Sequence, residues 1–171
     1  MANFIQNTLA YLARKGQTEH IDPSKKHAFQ NRFEDYQARY KFASKFAKNK
    51  KILDIACGEG YGSHLLAKKA KQVVGVDYEA EAINTAEHNY KAHKNTKFVC
   101  ADGLAYLGNT KDRFDLIVSF ETIEHIKNYK KFLKGLQECL KPGGTLILST
   151  PNKKLTDLYF GGVYNPFHTQ E

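Results

Sequence analysis

Three glycines at alternate positions, Gly58, Gly60 and Gly62, follow the apolar run Lys51-Ile-Leu-Asp54-Ile-Ala-Cys and open a helical pattern at Tyr61. Glycine at such a junction lets a ligand approach bare backbone N–H groups at the start of a helix. The acid within the run, Asp54, stands in what should be a strand buried on both faces. A buried carboxylate is unfavourable unless something satisfies it, so Asp54 is expected to hold the loop or its ligand. Two more acids close apolar runs: Asp77 after Gln72-Val-Val-Gly-Val, and Asp102 in Cys100-Ala-Asp-Gly103. An acid at the end of a second strand can accept hydrogen bonds from ribose hydroxyls, and Asp102 can accept from an adenine amino group. The chemistry is that of a nucleoside-like ligand. A dinucleotide fingerprint is disfavoured, because Ser63 occupies its third glycine position. A phosphate P-loop is excluded, because no Gly-Lys-Ser/Thr follows.

A fourth cluster is Ser119-Phe-Glu121-Thr-Ile-Glu124-His125. Glu121, Glu124 and His125 stand at i, i+3 and i+4, the spacing of one face of a helical turn. Acids there suit the start of a helix, where they favour the dipole, with His125 packing or capping. The same donors also suit a divalent metal held by carboxylate and imidazole. Both readings stand at this point. His20, His27, His64, His88 and His93 have no comparable neighbourhood and read as surface or packing residues.

The elements that must position these residues alternate from Lys51 onward. Strands are expected over Lys51–Ala56, Gln72–Asp77, Lys97–Ala101, Phe114–Phe120 and Thr145–Ser149. Helices are expected over Tyr61–Ala70, around Ala82, Ile83, Ala86 and Tyr90, and over the 3-4 spaced series Tyr129, Phe132, Leu133, Leu136 and Leu140. Leu104–Leu107 promises little more than a turn. Lys141-Pro-Gly-Gly144 reads as a helix stop and a turn into the last strand. Such alternation implies a parallel sheet with right-handed crossovers and a site at the carboxyl ends of its strands. Residues 1–50 read as a helical cap. Phe42 and Phe46 are expected to pack, and Tyr36, Arg39 and Tyr40 to lean over the glycine loop as a lid.

A length of 171 residues, 42% hydrophobic and 26% charged, suits one globular domain. No stretch is apolar enough to span a bilayer, and the amino terminus has no signal-peptide pattern. Cys57, Cys100 and Cys139 lack C-x-x-C spacing and read as reduced, so the cytoplasm is the expected compartment. The net charge of +8 raises nucleic acid as a partner, but arginine is scarce and no aromatic platform accompanies it. Nucleic acid is therefore the lesser expectation.

Taken in order, these pieces resemble the class I S-adenosylmethionine-dependent methyltransferases. The matching segments are Ile52-Leu-Asp54-Ile-Ala-Cys-Gly58-Glu-Gly60-Tyr-Gly62, Val-Val-Gly-Val-Asp77 and Ala101-Asp102-Gly103, then Phe114-Asp-Leu-Ile-Val-Ser-Phe-Glu121-Thr-Ile-Glu124-His125 and Leu140-Lys-Pro-Gly-Gly144-Thr-Leu-Ile-Leu-Ser-Thr-Pro-Asn152. The resemblance implies a Rossmann-like, doubly wound α/β fold with a mainly parallel sheet and helices on both faces. It implies a cofactor-binding core over 51–152, with Gly58 and Gly60 facing the methionine part of S-adenosylmethionine. Asp77 would bind the ribose, Tyr78 would pack on the adenine, Asp102 and Gly103 would line it, and Ser119 to Glu121 would lie near the methionine or substrate. S-adenosylhomocysteine would be the product. Glu-x-x-Glu-His runs with a later histidine serve as metal ligands in small-RNA 2′-O-methyltransferases and are shared by ubiquinone-pathway O-methyltransferases. By that likeness Glu121, Glu124, His125 and His168 would bind one divalent metal. Without a metal, His125 or His168 would be the general base.

The family's sheet normally has two further strands, which residues 153–171 do not accommodate comfortably. A sheet lacking these last two strands is expected, from a shortened member, a fragment, or a chain whose fifth-strand edge pairs in a homo-oligomer. The first functional reading is methyl transfer to an oxygen of a small molecule or sugar. The alternatives are RNA 2′-O-methylation with a metal site and a non-catalytic cofactor-binding module.

Overall fold

Short β-branched runs with glycine, lysine or asparagine at their borders form strands here because both faces of the sheet are covered. The computed structural model describes residues 36–92 and 94–151. The strands are β1 (Lys51–Ile55), β2 (Gln72–Asp77), β3 (Thr96–Cys100), β4 (Phe114–Phe120) and β5 (Leu140–Ser149). All pairs are parallel, in the order β3-β2-β1-β4-β5. The order reverses between β1 and β4, and a crevice outside the carboxyl ends is expected at such a point. Within the described residues β5 has β4 as its one strand neighbour. No described helix is long and apolar enough to cross a membrane.

The helices are α1 (36–43), α2 (Tyr61–Ala67), α3 (Ala80–Tyr90), α4 (Gly103–Asn109) and α5 (Tyr129–Cys139). Side-chain alternation along β1 separates two cores. Ile52 joins Tyr40, Ala43, Leu66, Val73, Leu116 and Val118 beneath α1 and α2. Leu53 and Ile55 join Leu107, Ile117, Phe132 and Leu136 beneath α4 and α5. Each fully buried aliphatic or aromatic side chain of this kind contributes about 1.5–3 kcal/mol. β1 is therefore the stable spine from which the glycine loop projects.

Three local differences from the sequence reading have physical causes. α4 is a regular helix where only a turn was expected, because Asp102 caps it: its Oδ1 accepts from Ala105 N–H at 2.8 Å. β5 begins at Leu140, so Lys141-Pro-Gly-Gly144 is an irregularity within the strand rather than a turn before it. Phe114 pairs with Leu140 but Leu116 with Thr145, and Gly143 takes φ 74°. The Asp115 carboxylate pins this irregularity, accepting from Lys51 N–H at 2.8 Å and Lys141 Nζ at 2.9 Å. Phe46, expected to pack, is 41% exposed, while Phe42 lies partly buried against the α1 core.

Gly62 shows how close α1 and α2 must approach, since a Cβ there would fall within the Tyr40 ring. Gly108, in α4, faces open space. Gly62→Ala should lower unfolding free energy by about 1–3 kcal/mol through overpacking, whereas Gly108→Ala should be neutral or stabilise by up to about 1 kcal/mol. Urea unfolding followed by circular dichroism measures both, and equal effects would contradict the close packing of α1 on α2.

Candidate functional site

The loop leaving β1 is built by backbone geometry that few side chains tolerate. Ala56, Gly58 and Gly60 take φ values of 61°, 52° and 80°. Cys57 N–H donates to Val76 O at 3.1 Å, and His64 N–H donates to Gly60 O at 2.9 Å to start α2. The three glycines meet three different needs. A Cβ on Gly58 would meet nothing within 4 Å, so this position borders open space. One on Gly60 would come 2.7 Å from both Ala86 and Phe98, so that position serves the packing of α3 and β3. Gly62 admits Tyr40. The open side of the loop is therefore at Gly58.

Asp54 lies beneath this loop with 0% exposure. Its Oδ1 accepts from Tyr40 Oη at 2.9 Å and its Oδ2 from Ser63 Oγ at 2.7 Å. It holds the loop through α1 and α2, and the carboxylate itself is turned away from solvent. Burial pushes its carboxyl up to about 7, against the two hydrogen bonds, which lower it, and with a smaller upward push from the Asp77 charge.

Asp77, 8% exposed, ties the second loop to the first. Its Oδ2 accepts from Gly58 N–H at 2.8 Å and its Oδ1 from Glu79 N–H at 3.0 Å. Each carboxylate oxygen keeps further acceptor capacity for a ligand. Tyr78 follows with 78% exposure. The third loop is laced to the second, with Ala101 N–H donating to Asp77 O at 2.8 Å. In it Asp102 caps α4, and Gly103 lies against Phe132 and Ile55.

On β4, Ser119 pairs in register with Ile55 across the switch point. It is 0% exposed, and its Oγ has no hydrogen-bond partner among the described residues. A buried orphan hydroxyl is disfavoured by about 1–3 kcal/mol, so it offers a ligand a ready donor or acceptor. Glu121 does not begin an α-helical turn. It takes φ 51° at the strand end, and only Ile123–His125 forms a short 3-10 helix. The common helical face expected for Glu121, Glu124 and His125 is therefore broken. Glu121 Oε1 accepts from Ser149 Oγ at 2.7 Å and lies 3.3 Å from Arg39 Nη2. Glu124 is 6% exposed and accepts from Thr150 Oγ1 at 3.1 Å. Burial pushes its carboxyl up to about 7, and the Glu121 charge adds to this. His125 is exposed, and His168 lies outside the described residues. Among the described residues no group of three or more His, Cys, Asp or Glu is gathered to hold a metal.

The fold thus gathers Gly58, Asp77, Tyr78, Asp102, Ser119 and Glu121 at one end of the sheet. It adds partners that were unassigned in sequence: Ser63 for Asp54, and Ser149 and Thr150 for Glu121 and Glu124. A signal for Ser63 existed, because a buried acid needs donors and the first turn of the next helix is the nearest place to find one.

Comparison with known proteins agrees with this arrangement. A family model described as methyltransferase domain matches residues 46–163. A probable S-adenosylmethionine-dependent methyltransferase of Mycobacterium tuberculosis is 32% identical over 139 residues, covering 81% of this chain and 49% of that protein. The mitochondrial ubiquinone biosynthesis O-methyltransferase of Rattus norvegicus is 33% identical over 123 residues, covering 67% of this chain and 34% of that protein. The chain thus spans about half the length of the first relative and a third of the second. The N-methyltransferase NodS from Bradyrhizobium japonicum, solved in complex with S-adenosyl-L-homocysteine, superposes with TM-score 0.61 at 23% identity, over 67% of this chain and 60% of that one. That likeness is one of fold.

Asp54 also makes the site's support sensitive to pH. Its carboxyl sits near 7 in the fold against 3.8 for the free group, so the folded state holds the proton more tightly. Its stabilising contribution is complete below about pH 4 and is lost as pH rises to about 7. Relative to Asp54→Asn, the native protein should lose up to roughly 1.4 kcal/mol per pH unit between pH 5 and 7. Parallel urea-unfolding profiles for the two proteins across that range would contradict this.

With residues 46–163 matching the family model, and its relatives including proteins named as probable S-adenosylmethionine-dependent methyltransferases, the chain belongs to the methyltransferase-domain family.

Proposed function

We propose that this chain binds S-adenosylmethionine at the β1–β4 switch point and transfers its methyl group to an oxygen of a small molecule. The observation that carries the binding is the Asp77–Gly58 bond, 2.8 Å long, beside open space over Gly58. It sets a ribose-competent carboxylate against a bare backbone loop. The buried Ser119 Oγ, which lacks a partner among the described residues, supports the fit from the opposite side of the crevice. Asp77 would hold the ribose hydroxyls, Tyr78 would cover the adenine, and Asp102 with Gly103 would border its edge. Gly58 and Ser119 would face the methionine part.

A sulfonium supplies an already activated methyl group, so alignment of the acceptor provides much of the rate. An oxygen acceptor must still lose its proton. His125, exposed on the loop after β4, is the described residue proposed to take it, with His168 as the second candidate. No step is routed through a metal, because Glu121 is already engaged by Arg39 and Ser149. The relatives named for ubiquinone-pathway O-methylation support oxygen as the acceptor atom.

The test is calorimetry with S-adenosylhomocysteine, followed by transfer from methyl-labelled cofactor to small-molecule and RNA pools. Asp77→Ala should weaken S-adenosylhomocysteine at least tenfold, and His125→Ala should lower kcat while leaving the KM for the methyl donor near its native value. Label appearing in RNA would replace this reading with nucleic-acid methylation. Tight binding without transfer to either pool would make the chain a cofactor-binding module.

A further inference from the structure

Among the described residues, six lysines gather at the end of the sheet opposite the proposed cofactor loops. Lys48 and Lys50 precede β1, Lys68, Lys69 and Lys71 precede β2, and Lys94 precedes β3, all six exposed. Runs far apart in sequence are stitched together by their backbones. Asn49 N–H donates to Lys69 O at 3.0 Å, Lys71 N–H to Lys50 O at 2.9 Å, and Val73 N–H to Asn95 O at 2.8 Å. Asn95 Nδ2 also donates to Ala67 O and Ala70 O, at 2.9 and 3.1 Å, fixing the β3 approach against the β2 approach. Neighbouring strands lie about 5 Å apart, so these three approaches hold the six exposed lysines at one end of the sheet on a rigid base.

No carboxylate occurs within residues 47–51, 67–72 or 94–97. The nearby acids pair at contact distance with other lysines, Asp112 with Lys51 at 2.7 Å and Asp115 with Lys141 at 2.9 Å, although Asp115 also feels the Lys50 charge. Among the described residues none of the six lysines has a carboxylate partner. Like charges held together without ion pairs of their own create a positive local potential for a polyanion.

We propose that this face docks the phosphate backbone of single-stranded nucleic acid, without sequence preference and apart from methyl transfer. Lysine, rather than arginine, provides point-charge contacts that position a phosphate chain without reading base edges. Beside the lysines stand the polar Asn49, Gln72 and Asn95, while Ala70 is half-buried against the core, so Phe46 is the one large apolar side chain exposed here among the described residues, and a bilayer-seated face would need several. Phe46 beside Lys48 is 41% exposed and supplies one ring on which a base can stack. The face lies at the amino ends of strands whose carboxyl ends carry Cys57, Asp77 and Asp102, a separation of about 16–20 Å for five or six residues. A strand held here is therefore anchored at a distance from the proposed methyl-donor site.

The test is fluorescence anisotropy of a labelled 20-nucleotide single-stranded DNA and its RNA counterpart with the full chain, from 50 to 200 mM NaCl. Binding should weaken steeply with salt. K50E/K68E/K71E should raise Kd at least tenfold and reduce the log–log salt slope by about 2, from three lost phosphate contacts. K130E/K131E/K134E on α5, with the same change in net charge, should bind as the native chain does. Matching thermal unfolding midpoints for the three proteins show that any loss is not misfolding. Absence of salt-dependent binding, equal losses in both triple variants, or preference for phosphatidylglycerol vesicles over the oligonucleotides would each overturn the proposal.

Discussion

A single buried carboxylate organises this molecule. Asp54 sits in the central strand with no exposure, and it is satisfied only because α1 brings Tyr40 and α2 brings Ser63 to its two oxygens. A buried acid without such partners would be strongly disfavoured. The two helices are thereby committed to fixed positions over β1, and their approach in turn demands glycine at position 62. The glycine loop lies between these constraints. Its geometry follows from the packing beneath it as much as from its own flexible residues.

The crevice above inherits that rigidity. Asp77 anchors Gly58, Ala101 hydrogen-bonds to Asp77, and Asp102 caps α4, so three consecutive strand ends are linked through backbone groups. The fourth strand end is tied differently, through Glu121 to Arg39 and Ser149 and through Glu124 to Thr150. One half of the crevice is set by backbone N–H groups held by the Asp77 and Asp102 carboxylates and the Asp77 carbonyl. The other is set by a particular set of side chains from α1, β5 and the segment that follows it. This division suits a site that recognises a constant ligand on one side and a variable one on the other.

Much of this was legible in the residues. The strands over 72–77 and 114–120 match their apolar runs end to end, because parallel strands buried on both faces cannot conceal their composition. The acids ending them were recognisable for the same reason, as polar residues closing apolar runs. α4 was not legible, because its apolar pattern is weak and its stability comes from the Asp102 cap and contact with α5. The irregular start of β5 was hidden by a Pro-Gly-Gly sequence that ordinarily stops a strand. Glu121 was misplaced on a helical face because spacing alone cannot reveal a left-handed backbone at a strand end.

The sequence by itself determined the order of elements, the parallel sheet, the acid-ended strands and the family, since these depend on local composition and on motifs contiguous in the chain. Only the tertiary structure decided which glycine borders open space and which accommodates a neighbour. It alone showed that Asp54 supports the loop from below, and that Glu121 is held by Arg39 and Ser149. Lysines distant in the chain likewise meet only once β1, β2 and β3 are aligned. Each of these depends on contacts between segments far apart in sequence, and no local pattern encodes a neighbour that folding alone supplies.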